Sequence, residues 1–388
     1  MDINPGFKQA ALYGAVTNKL TIRVFEPDGT VKTVITNKHI VSESMRLTGA
    51  ICDEPELLFG GCVASAFEID VSSKYDIHDR YITVYCAQTA TMPLYPGTQI
   101  FPGAELYPGR ISYTVSFPLF SGDVFSCKLA KNRLTRRLVA YDRFYSRGMR
   151  SCKGLYDGLF AGGSAVTLGQ LRAAIIQAHF TEAQSVTLPA DSFVIHKMET
   201  DELTVNDALR MIGEMSGVFL RLNGHGDVEY VDIGTAGEVE EYTFYIDAET
   251  EDYTVTGFDG VETKTLGSYW FDTEPPDPVT YALDNALVTA GYVSSATATG
   301  EQFEPAWNGV RSSIAPNFAV EYIPFSLKAQ ARLWVQPGDR VRFNIKWYSL
   351  EEENGAEVTV EHTKTVESVI LSRRLTGIQA MTDELSAQ

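Results

Sequence analysis

The side chains best suited to hold a metal, or to act as nucleophile or base, are six histidines and five cysteines, and their spacing limits what they can do. His39, His78, His179, His196, His225 and His362 form no HExxH or HxH pair, and none lies close to a cysteine. Cys52, Cys62, Cys86, Cys127 and Cys152 are odd in number and contain no CxxC, so they read as reduced, buried small hydrophobes. Ser164 follows Ala161-Gly162-Gly163 but lacks the GxSxG elbow, and no GxGxxG or GxxxxGK loop opens a helix. Gly224-His225-Gly226 fits a hairpin turn better than a phosphate cradle. Glu240-Glu241 and Glu351-Glu352-Glu353 are adjacent carboxylates in an acidic chain, whereas a glycosidase pair is defined by its separation across a substrate. The expectation is a protein without catalytic residues, metal or cofactor.

One cluster does stand out. Between Lys128 and Arg150 there are eight basic residues, among them Arg133, Arg136, Arg137 and Arg143, against the single acid Asp142. Residues 236–310 carry fifteen Asp or Glu against Lys264 alone. Each run taken alone reads as solvated strand ends or a solvated face. Taken together they suggest a basic seam facing an acidic neighbour from another copy of the chain. The net charge of −18 argues against holding nucleic acid, which needs clustered cations to displace counterions.

The 388 residues are enough for two to four domains, and 44% hydrophobic content is enough to bury cores without staples. Residues 20–25 and 31–35 read as strands joined through Pro27-Asp28-Gly29, a turn core with the φ values a hairpin needs. Alternating segments follow at 66–71, 81–87, 110–117 and 138–141, broken by Pro and Gly. The pattern then turns helical. Thr167 caps a helix whose face carries Leu168, Leu171, Ile175 and Ile176, and Thr204 caps a second with Ala208, Met211, Ile212 and Met215 on one face. Ser216-Gly217 ends the latter, and 218–222 with 227–231 form a hairpin. From Glu238 the chain is β again, with weak helical periodicity over 282–290 and a loop at 291–300. A short match between 95–101 and 336–343 hints at duplication.

This predicts an α+β, mainly β fold: two related β-barrel or sandwich domains, 1–148 and 236–388, separated by a small α/β insert, 149–235. The second β-domain carries an acidic insertion around 262–318. No signal-peptide pattern and no apolar run of about 18 residues is present, so the expectation is a protein made in the cytoplasm without membrane insertion.

Several stretches resemble the hub proteins of siphophage and prophage tail tips, which are related to the N-terminal region of tail-associated lysins and to contractile-tail baseplate hubs. They are 35–48 (beginning Ile35-Thr36-Asn37-Lys38), 58–68 (Leu58-Phe59-Gly60-Gly61-Cys62 onward), 137–142, 206–219, 333–339 (Leu333-Trp334-Val335-Gln336-Pro337-Gly338-Asp339) and 370–381. None is a catalytic signature, and 236–310 departs from the pattern.

The resemblance implies that the two β-domains of each chain are ring domains, with three chains per ring, so that a homotrimer presents six similar domains to a six-fold tail tube. Such a ring in the virion would join the distal tail protein or tube ring, meet the tape measure protein, carry a spike or fibre, and let DNA pass without specific binding. Trp334 and Asp339 join the four arginines as interface candidates. Two other readings remain. One is a receptor- or carbohydrate-binding adhesin using Trp270, Phe271, Tyr292 and Trp307. The other is a tail-associated peptidoglycan hydrolase, for which the sequence up to Gln388 leaves no room after the 375–379 stretch.

Overall fold

In the computed structural model of the chain, the described residues are 3–52, 57–93, 110–163, 165–180, 185–195, 197, 202–234, 238–263, 267–272, 275–289, 303–353 and 356–387. Ser164, His196, Tyr292, residues 95–101 and residues 291–300, all considered above, lie outside them.

Helix α1 (Pro5–Tyr13) starts on Asn4, whose side chain accepts from the Gly6 amide. The expected hairpin follows as β1 (Ala15–Phe25) and β2 (Val31–Thr36). Asp28 closes its turn by accepting from the amide and hydroxyl of Thr30, and Gly29 takes φ 84°. Alternation sends Leu20, Ile22 and Val24 into the core. Next come β3 (Arg46–Ala50), β4 (Ala66–Ser72), β5 (Tyr81–Pro93), β6 (Arg110–Leu129) and β7 (Thr135–Tyr141).

Helices α2 (Arg143–Ser146) and α3 (Lys153–Leu159) lead to β8 (Val166–Thr167), α4 (Leu168–His179), β9 (Val194–Ile195) and α5 (Val205–Met215). Both predicted caps are present as reciprocal boxes, Thr167 with Gln170 and Thr204 with Asp207. Strands β10 (Phe219–Leu222) and β11 (Val228–Val231) form the hairpin expected after Gly217, which takes φ 63°. The rest is β12 (Val239–Tyr242), β13 (Asp247–Thr250), β14 (Gly260–Thr263), β15 (Gly267–Trp270), β16 (Thr280–Ala282), α6 (Phe303–Phe318), β17 (Phe325–Gln330), β18 (Arg340–Glu353), β19 (Ala356–Val369), β20 (Ser372–Thr376) and β21 (Thr382–Ser386). Residues 286–289 are helical, where the sequence shows weak periodicity.

The fold is α+β and mainly β. Its largest sheet has eleven strands in the order β13-β17-β21-β20-β3-β4-β7-β6-β5-β1-β2. The two β regions of the sequence therefore do not form two separate sheets. Strand β20 pairs antiparallel with β3, from Ser372 opposite Ala50 to Thr376 opposite Arg46, and joins them into one. Among the described residues this sheet stays open, ending at β13 and β2.

Buried side chains form two clusters. One lies under β1–β7 and α1 and takes in Leu333, Leu375 and Ile378 from the C-terminal region. The other unites the insert with residues from the acidic region and the C-terminal strands. At its centre Phe59 stacks on Phe318 with ring centroids 4.0 Å apart and meets Phe219 at 5.0 Å. The acidic region is thus more than a solvated face, since Val261, Tyr281, Leu287 and Trp307 are core.

Candidate functional site

The stretch 333–339 ties the parts of the molecule together. It leaves β17 through Arg332, whose guanidinium is buried and lies 3.7 Å from the centre of the Tyr242 ring. That guanidinium donates to a Glu240 carboxylate oxygen at 3.2 Å and to the Glu241 carbonyl at 2.7 Å. The other Glu240 oxygen accepts from Trp334 Nε1 at 3.0 Å and from Lys8 Nζ, on α1, at 2.9 Å. Burial alone would raise the Glu240 pKa. The bonds from Lys8 and Trp334 and the charges of Lys8 and Arg332 outweigh it and hold the carboxyl below its ordinary value.

Behind Arg332, fully buried Asp383 accepts from its backbone amide at 2.9 Å and from Arg373 Nε at 2.8 Å. Asp339 closes the turn of the strap by accepting from the Gln336 amide at 2.8 Å. Burial pushes its pKa up, opposed by that amide and by the charges of Arg221 and Arg373. Arg221 of β10 also donates to the Pro337 carbonyl, so the insert hairpin is pinned to the same strap. Beside the strap lies a cleft of about 400 Å³ lined by Lys8, Glu240, Trp334, Arg221, Asp339 and Arg340.

Trp334 and Asp339 are therefore positioned to hold α1, the insert and the large sheet in register. The sequence singled them out by resemblance. Glu240 stood out only as a carboxylate adjacent to Glu241, and Lys8, Arg332, Arg373 and Asp383 were missed, because each is an ordinary charged residue and nothing in its local sequence marks its partner.

The arginine cluster lies along β6, β7 and the segment after them. Arg133 sits exposed in the β6–β7 turn with φ 58°. Arg136 donates to the Ser73 carbonyl at 3.0 Å and pairs with Asp76 at 3.1 Å. Arg137 bridges Asp70 and Glu68 on the neighbouring strand β4. Arg143 lies 4.7 Å from the centre of the Tyr81 ring. The carboxylates facing Arg136 and Arg137 are thus the chain's own.

Asp142, the one acid of the cluster, is buried and accepts from the amides of Ser65 at 2.7 Å and Phe144 at 2.9 Å. Burial raises its pKa to about 7 against the pull of those amides. Beside it Phe125, Tyr141 and Tyr145 form an aromatic cluster that the sequence reading missed. Its residues fall in three separate elements, and only the β6 irregularity around Phe125 brings them together.

Two of the rings named for an adhesin are committed inward: Trp307 is fully buried, and Phe271 packs against Phe318 at 5.9 Å. Among the described residues no group of three or more His, Cys, Asp or Glu is arranged to hold a metal, and no helix is long and apolar enough to cross a membrane.

No protein-family model matches the chain, and no curated relative matches it. Solved structures to which the chain is similar include two tail proteins. One is the tail protein from Neisseria meningitidis MC58, at 13% identity over 96% of this chain and 96% of that one, with a TM-score of 0.47. The other is the 43 kDa tail protein of prophage MuSo2 from Shewanella oneidensis, at 10% identity over 95% of this chain and 97% of that one, with a TM-score of 0.48.

Proposed function

We propose that this chain is a structural subunit of a bacteriophage tail, a hub protein that assembles as a three-copy ring at the tail tip. The observation that carries the reading is the convergence of the stretches resembling tail-tip hubs. Residues 46–48, 66–68, 137–141 and 372–376 of those stretches lie on four consecutive strands of one sheet, β20-β3-β4-β7. Gly60 and Gly61 pack on the insert, with the Gly60 amide donating to the Val218 carbonyl and the Leu220 amide to the Gly61 carbonyl, each at 2.9 Å. Segments far apart in sequence thus form one framework. They build a scaffold, in contrast to the convergence of reactive groups that a catalytic site requires.

In this reading domains 1–148 and 236–388 supply six similar faces from three chains to a six-fold tube, and the insert 149–235 sits outside or below. The ring meets the distal tail protein above and the tape measure protein within, and carries a spike or fibre. The net charge of −18 favours passage of DNA without retention. Light scattering on the purified chain is expected to give three times its mass of 42.8 kDa. A monomer would overturn the ring, and glycan binding by that monomer would favour an adhesin.

A further inference from the structure

We infer that the outward face of β6 and β7 docks a second copy of this chain, and that it receives the acidic, apolar strip at residues 243–253. The inference rests on the ring reading in that the partner is the same chain. It adds which two surfaces meet.

The first surface is built by a β-bulge. The register of β6 against β7 slips between Val124 and Ser126, leaving Phe125 as the extra residue, 62% exposed. Its ring centroid lies 5.5 Å from Tyr141 and 5.9 Å from Tyr145, and those two rings stack at 4.5 Å. Met149, just beyond, is 67% exposed. Aromatic rings, methionine and arginine are enriched at interface centres, and lysine belongs to their rims. Lys128 and Arg150 are exposed and make no ion pair among the described residues, whereas the nearby acids are engaged: Asp142 is buried, Glu68 and Asp70 pair with Arg137, and Asp123 accepts from the Ser146 hydroxyl.

The second surface has the complementary character. Residues 243–253 contain four carboxylates, Asp247, Glu249, Glu251 and Asp252, and no basic residue; Asp252 pairs with the chain's own Lys364 at 3.8 Å, and Asp247 lies opposite Lys328 on β17. Phe244 and Ile246 stand 71% and 62% exposed, although the residues around them are fixed. Tyr245 donates its hydroxyl to the Asn344 carbonyl at 2.6 Å, and the Ile246 amide donates to the Lys328 carbonyl at 2.7 Å. A strip held this way loses little freedom on binding. Strand β13 is also the end strand of the large sheet, with one backbone edge unpaired among the described residues.

The two surfaces are not neighbours within one copy. Five strands separate β13 from β7 in the sheet, a path of about 29 Å measured along the sheet at ordinary strand spacing. A contact between different surfaces of identical chains is head-to-tail, and a head-to-tail contact closes a ring or runs on as a filament.

The test pairs two variants, Phe125→Ser with Tyr145→Ser on one surface and Phe244→Ser with Ile246→Ser on the other. Folding is checked by thermal melting, and size by sedimentation velocity at low salt. The wild type is expected as a three-copy species. Each variant alone should be monomeric, with self-association weakened by about thirtyfold or more. An equimolar mixture retains one intact contact and should stop at two copies. As an independent check, Lys128→Glu and Glu249→Lys should each weaken assembly and together in one chain restore it. Either double variant assembling like the wild type, or a mixture that stays monomeric, would overturn this inference and leave the ring standing. A wild type that is monomeric under the same conditions would overturn both.

Discussion

The Glu240 carboxylate takes hydrogen bonds from Lys8, Trp334 and Arg332, residues contributed by α1 and by the strap after β17. Replacing Glu240 by Ala leaves the buried Arg332 guanidinium without its counter-charge, which costs about 3 kcal/mol. Urea denaturation should show that loss as a lower midpoint; an unchanged midpoint would mean the network holds nothing together. Asp142 makes a second prediction, of opposite electrostatic sense. Its folded pKa of about 7 lies above the ordinary carboxylate value, so the folded chain binds this proton more tightly than the unfolded chain does. The resulting stability is complete below about pH 4 and is lost as pH rises through 7, a change of roughly 4 kcal/mol. Asp142→Asn should flatten that part of the stability profile, and an unaltered slope between pH 4 and 7 would contradict it. Little of this was legible beforehand. Asp142 stood out only as the lone acid among arginines, and nothing local marks Lys8 and Glu240 as partners 232 positions apart.

At the scale of elements, legibility followed the range of the interactions. Both helix caps, the β1–β2 turn and the β10–β11 hairpin depend on residues within a few positions of one another, and each was visible as a spacing. The pairing of β3 with β20 depends on chain segments more than 300 positions apart and leaves no local mark. Gly60 belongs to the long-range class. Its φ is 79°, and a Cβ there would lie 2.1 Å from the Arg210 carbonyl oxygen of α5. Gly60→Ala should therefore cost about 2–3 kcal/mol by strain and by displacing α5. Gly154, on the exposed side of α3, meets nothing within 4 Å, and Gly154→Ala should gain up to about 1 kcal/mol from helix propensity. Thermal melts of the two variants shifting in the same direction would contradict this account.

At the scale of the whole molecule, the sheet has two ends, and the surface separates a basic aromatic face from an acidic strip several strands away. The sequence displayed both charge runs but not their geometry. Arg136 and Arg137, the most conspicuous cations of the seam, are bound to the chain's own Asp76, Glu68 and Asp70. Reversing them would therefore unsettle the monomer before it tested any contact between copies. Phe125, Tyr145 and Lys128 are the residues whose loss separates assembly from folding. A reconstruction of the tip of an intact tail would show whether three copies form a ring there. Three copies of the chain are expected in one ring around the channel, joined head to tail. Six copies, a position along the tube or out on a fibre, or absence of the chain from the particle would contradict it.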